Sequence, residues 1–187
     1  MIAQPAPMLL RRFLPFVVFA LLSNVLPAQK GARFPQVTGE TASGKRTTLP
    51  LEGTGRHTVL GLAMSRKAEP LLEEWFEPAY LRFVAKHGLF ANAYQADVRF
   101  VPLFTGLDKA AYEPTLKKFR KSATPEVVDL VVFVKADLAT IQDALGIKDK
   151  DVPWFFVLDD RGTVLNAVSG KFTDAKLQAL EDVLLGD

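Results

Sequence analysis

The stretch that most constrains the fold is DVPWFFVLDDRGTVLNAVSG, residues 151–170. Two apolar runs rich in β-branched and aromatic residues flank Asp159-Asp160-Arg161-Gly162, which reads as strand, tight turn, strand. Pro153 precedes the first run, a place where its missing N–H does not break a ladder. One helix follows, starting at Thr173 or Asp174, with Leu177, Leu180, Val183 and Leu184 on its inner side. A hairpin closed by a single helix cannot belong to a purely parallel sheet.

Upstream, strands and helices alternate. HTVLGLA (57–63) is a short apolar run and predicts a buried strand. From Ala68 to about Lys86, Leu71, Trp75, Ala79 and Phe83 recur every fourth residue, and Leu72, Phe76, Tyr80 and Val84 repeat the spacing beside them. The spacing predicts a helix with a wide apolar stripe. Pro70 fits its first turn, Pro78 is expected to kink or split it, and His87-Gly88 to end it. Asp97–Phe104 predicts a second strand. Asp108 is placed to cap a helix running to Lys121, with Tyr112, Leu116 and Phe119 inward. Val127–Val134 reads as another buried strand. Asp137 caps a short helix carrying Leu138, Ile141 and Leu145, closed by Gly146. Near the start, Ser43-Gly44 marks a turn between polar flanks, followed by an extended piece to Leu51. The reading is an α/β fold with a mixed sheet flanked by helices and one domain over 34–187.

The N-terminus has a different character. Arg11-Arg12, the apolar run Phe13–Val25 and Leu26-Pro27-Ala28 have the three-part layout of a secretory signal, residues 1–28, cut after Ala28. Met8 is an alternative start. The apolar run falls short of the roughly 20 residues that span a bilayer, so cleavage is expected; an uncleaved membrane anchor, with peripheral membrane association, is the alternative. Residues 29–33 then form a short linker. Export places the protein in a periplasmic or extracellular compartment. Without residues 1–28 the chain carries 21 basic and 21 acidic residues, which leaves no electrostatic footprint for nucleic acid. There is no cysteine, so thiol catalysis, disulfide exchange and thiolate metal sites are excluded. No cofactor is expected, and the two histidines, His57 and His87, show no metal-ligand spacing.

The Val-Pro-strand-turn-strand segment resembles the thioredoxin-like superfamily around its cis-proline, most closely the exported thiol-oxidoreductase and peroxiredoxin-like branch. Val152, Pro153, Phe155 to Leu158 and Gly162 match its pattern. The opening FPQVTGETASGKRTTLP is similar to that branch's N-terminal extension, implying an extension hairpin ahead of a thioredoxin-like sheet. The resemblance implies that Pro153 is cis and faces the start of the first helix. There the family pattern Cys-x-Pro-Cys falls on Ala68-Glu69-Pro70-Leu71, so Ala68 and Leu71 stand at the cysteine positions. Leu62 stands where many relatives bury an aspartate. AEPLLEEWFEPAYLRF is also similar to the first helix of the mitochondrial ATP synthase assembly factor family, through Glu69, Trp75 and Pro78.

The resemblance implies a peptide-binding groove whose reactive sulfurs are gone. Its candidate residues are Met64, Arg66, Lys67, Ala68, Glu69 and Leu71 at the helix start, with Val152, Pro153 and Trp154 opposite. Val152 would offer its backbone to an extended peptide. Trp154 faces either the core or the groove; in the groove it would form an apolar patch with Met64 and Leu71. Ser65 reads as a helix cap rather than a nucleophile, and Glu73, Glu74 and Glu77 as a solvated helix face. The expected function is a redox-inactive protein of the cell envelope that binds a peptide or partner protein in a chaperone or assembly role. The alternatives are cysteine-independent enzyme chemistry, such as glutathione-dependent transfer, and a structural module without a ligand.

Overall fold

The computed structural model describes residues 30–87 and 93–186. The expected signal, residues 1–28, and the expected helix terminator Gly88 lie outside the described residues. Among those described, no helix is long and apolar enough to cross a membrane.

Seven strands form one mixed sheet: β1 (Val37–Thr41), β2 (Arg46–Leu49), β3 (His57–Ala63), β4 (Ala96–Phe104), β5 (Val132–Lys135), β6 (Trp154–Leu158) and β7 (Val164–Ser169). Their spatial order is β2-β1-β5-β4-β3-β6-β7. The centre, β5-β4-β3, is parallel, while β6 and β7 on one flank and β1 and β2 on the other are added by antiparallel pairings. The β1–β2 hairpin is the expected N-terminal extension, and it completes the sheet by pairing with β5. Residues 31–33, expected as a linker, are pinned beside β7: the Gly31 N–H donates to the Val164 carbonyl at 2.7 Å, and the Val164 N–H to the Ala32 carbonyl at 2.8 Å.

The apolar runs are continuous because the central strands are buried on both faces. On one face Val59, Phe100, Phe155 and Val157 pack under α1 (Ala68–Ala79), α2 (Tyr112–Ser122) and α4 (Asp174–Leu185). On the other, Leu60, Leu62, Val101, Phe156 and Leu158 pack under α3 (Leu138–Leu145) and Phe34. Gly61 points toward α1, where a Cβ would stand 2.6 Å from the Phe155 ring. This close approach lets Trp75 stack on Phe155 at 4.2 Å between ring centroids, while its indole N–H donates to the Gly170 carbonyl at 3.0 Å.

Four local expectations change. Pro78 leaves α1 intact; the helix widens only at Tyr80–Val84, a π-turn closed by the Ala85 N–H on the Tyr80 carbonyl at 2.9 Å. Pro78 has no N–H to give the carbonyl four residues back, and the wider turn follows at once. Asp108 caps no α-helix: it lies in a 3-10 segment, Gly106–Ala111, that leads into α2. Residues 127–130 form turns, with the Val127 N–H on the Thr124 carbonyl at 3.0 Å, so β5 begins only at Val132. At α1 the capping acceptor is the carbonyl of Ser65, bonded by the N–H groups of Ala68 and Glu69, not its hydroxyl. The caps read at Asp137, Gly146 and Thr173 are present as expected.

Candidate functional site

The turn between β3 and α1 meets the loop before β6 at one corner of the sheet. Lys67 Nζ donates to the Asp151 carboxylate at 2.8 Å, joining the start of α1 to the residues just before Pro153. That ammonium is the main reason the Asp151 carboxyl is held below its usual range. The Ser65 hydroxyl adds to the effect, close by but without the geometry of a full hydrogen bond. Reciprocally, Asp151 raises the pKa of Lys67. Next to it, Arg66 Nε reaches Asp108 at 3.0 Å. Both cations of this corner are thus engaged with carboxylates from other elements.

Of the expected groove residues, Lys67 is the one tied across this corner, to Asp151, the residue before Val152. The residue identities there decide its chemistry. Thiol reactivity needs a sulfur that ionises beside helix N–H groups. Ala68, fully buried, and Leu71, half-buried, provide a methyl and an isobutyl group.

Other expectations fail at this corner. Among the described residues the only cis peptide is Leu49–Pro50, so Val152–Pro153 is trans. An X-Pro bond favours trans by about 0.5–1 kcal/mol when nothing overrides it, and the Val-Pro pattern alone does not specify the isomer. Pro153 is buried, and its carbonyl accepts the Gly170 N–H at 2.9 Å. Met64 offers no surface: it is 1% exposed, packed in the core on the α3 side. Trp154 shares that side of the sheet. It pairs in register with Leu62, its ring lies parallel to Phe156 at 6.2 Å, and its indole N–H donates to the Asp149 carbonyl at 3.0 Å. No apolar patch of Met64, Leu71 and Trp154 therefore forms. Alternation along β6 carried this signal, since Trp154, Phe156 and Leu158 must share a face.

Glu69 turns away to a feature the sequence did not reveal. It lines a cavity of about 610 Å³ between α1 and α2, floored by Phe100, Pro102 and Phe133. Burial, first, and then Asp108 and Glu73 raise the pKa of its carboxyl, with Arg66 opposing. The recurrence of aromatics in α1 and α2 was visible, but the gap between the two helices was not.

The histidines do not serve Ser65. His57 opens β3, at the opposite end of that strand from Ala63, and His87 follows the π-turn. Among the described residues no group of three or more His, Cys, Asp or Glu could hold a metal ion.

No protein-family model and no curated protein matches this sequence. Solved structures do match. BsSco, a member of the Sco family of cytochrome c oxidase assembly proteins, aligns with a TM-score of 0.55 at 15% identity, over 82% of this chain and 92% of that one. The exposed lipoprotein thioredoxin Etrx1 of Streptococcus pneumoniae aligns with a TM-score of 0.52 at 14% identity, over 79% and 99% of the two chains. A hypothetical protein from Sinorhizobium meliloti gives 0.52 at 17% identity, over 84% and 85%. The fold is therefore thioredoxin-like, carried by a chain without cysteine. The similarity to the ATP synthase assembly factor family finds no support in these comparisons.

Proposed function

We propose that this protein is an exported, redox-inactive thioredoxin-like module that acts by binding a peptide or partner protein at the corner where relatives keep their thiols. One observation carries the reading: Ala68 and Leu71 open a helix ionically tied to the loop before β6, so the corner keeps its position and lacks its chemistry. Export is supported by the leader-like residues 1–28 and by the exposed lipoprotein among the similar structures. An assembly role is supported by the fold shared with an assembly protein of the Sco family. With Pro153 trans, docking rests on the exposed Arg66, Lys67 and Pro70 and the half-buried Leu71, and not on the backbone of Val152.

A photo-crosslinking residue at position 71, expressed in the native envelope, tests this. A discrete protein adduct is expected from position 71, none from the exposed position 171, and loss of the adduct formed from position 70 when Leu71→Glu is introduced. Equal adducts at 71 and 171 remove the corner from the function. An alkaline phosphatase fusion after residue 40 tests export separately.

A further inference from the structure

The α1–α2 cavity adjoins the Lys67–Asp151 corner through Glu69 but has its own lining and chemistry. Its volume, about 610 Å³, falls within the roughly 300–1,000 Å³ of small-molecule sites. Phe76, Phe100, Phe119 and Phe133 are among its lining residues, and two carboxylates, Glu69 and Glu73, stand on the α1 wall one turn apart. No Lys, Arg or His lines it. The nearby guanidinium of Arg66 is already paired with Asp108 at 3.0 Å.

The opposite wall carries three hydroxyls, those of Thr115, Ser122 and Thr124. Ser122 Oγ donates to the Lys118 and Phe119 carbonyls of its own helix, and Thr124 is engaged with Glu126. The floor strands are internal: β4 lies between β3 and β5, and β5 between β4 and β1. An extended peptide laid on this floor would find no free strand edge to pair with. A polyol or phosphate would find few donors and two repelling charges. An apolar body with one cationic head matches both the aromatic lining and the acidic wall.

We propose that the cavity between α1 and α2 binds a small lipophilic amine, its apolar body among the phenylalanines and its ammonium at Glu69 and Glu73.

The probes are 4-phenylbutylammonium, the alcohol of the same length and 5-phenylpentanoate, titrated calorimetrically into the full chain at neutral pH. The amine is expected to bind about tenfold more tightly than the carboxylate. Glu69→Gln should cut that preference several-fold while leaving alcohol binding in place. Thr115→Phe, which fills the cavity from α2, should abolish all three, with circular dichroism confirming the fold. Should Thr115→Phe not fold, Glu69→Gln, on a partly exposed helix wall, still decides the matter. Equal affinity for amine and carboxylate overturns the proposal, as does an amine preference unchanged in Glu69→Gln. Failure of every probe to bind the unmodified chain overturns it too. A dimer that Thr115→Phe dissociates would give the cavity to a second copy, and displacement of the amine by a Lys-Phe-Leu-Lys peptide would give it to a polypeptide; either result overturns it.

Discussion

At the scale of single residues, the most consequential polar contact is buried under α4. Glu181, with a side chain 2% exposed, accepts from Arg82 of the π-turn and from the Tyr94 hydroxyl at 3.0 Å. Removing the carboxylate takes the shared acceptor from the buried Tyr94 hydroxyl and the partly buried Arg82 guanidinium, the expensive way to break a buried pair. Glu181→Ala is expected to lower stability by about 3 kcal/mol and Tyr94→Phe by about 1 kcal/mol, measured by urea denaturation. A loss below about 1 kcal/mol for Glu181→Ala would mean that water replaces the network at no net cost. Glu69 behaves in the opposite sense. Burial raises its pKa in the folded state, so the folded protein holds that proton more firmly than the unfolded chain. The stability it contributes is present below the ordinary carboxylate range and is lost as pH rises through the raised value. Glu69→Gln should therefore gain on the unmodified protein as pH rises from about 4 through the raised value, read from paired denaturation curves. Movement the other way would show that the carboxylate is better served in the folded state than in water.

At the scale of elements, helix ends and strand alternation were readable, and turns made of apolar residues were not. Thr173 Oγ1 accepts from the Lys176 N–H at 3.3 Å, as a residue of that type before an apolar stripe should. Thr173→Ala is expected to cost about 1 kcal/mol and to lower the thermal midpoint; an unchanged midpoint would place the cap's work elsewhere, in the backbone bonds of the same turn. Val127 to Leu130 misled because an apolar run has no intrinsic shape. Thr124 and Pro125 start a turn there, and contact with β4 is limited to the Leu130 carbonyl, which accepts the Phe100 N–H at 2.8 Å, and the isolated bridge of Val131 to Phe100. Trp154 was ambiguous only while it was read alone. With Phe156 assigned to a face, the two-residue period of β6 fixes it. The isomer of Val152–Pro153 and the empty volume between α1 and α2 are tertiary properties that no local pattern encodes.

At the scale of the molecule, the fold follows from the order of a few strong elements. A strand, a wide-striped helix and a parallel strand precede a hairpin and a closing helix, and the seven-stranded sheet accommodates them with α3 and the N-terminal segment on one face and three helices on the other. Structures at 14–17% identity share it, so this layering does not depend on a close match of side chains. The absence of sulfur was plain in the sequence; the packing around Ala68 and Leu71 was not.

That packing bears on whether a thiol pair could work at the start of α1. Ala68 is sealed beneath its own helix, with none of its surface open to water. A sulfur introduced there by Ala68→Cys, paired with Leu71→Cys, would have no path to an incoming disulfide and no solvent to support a thiolate. The double variant is expected to label slowly with iodoacetamide and to leave insulin unreduced; fast labelling at position 68 would show the seat to be open. For this chain, giving the helix start a working thiol pair would demand repacking around position 68 as well as two substitutions, so burial and not sequence alone keeps that chemistry out of reach by small steps.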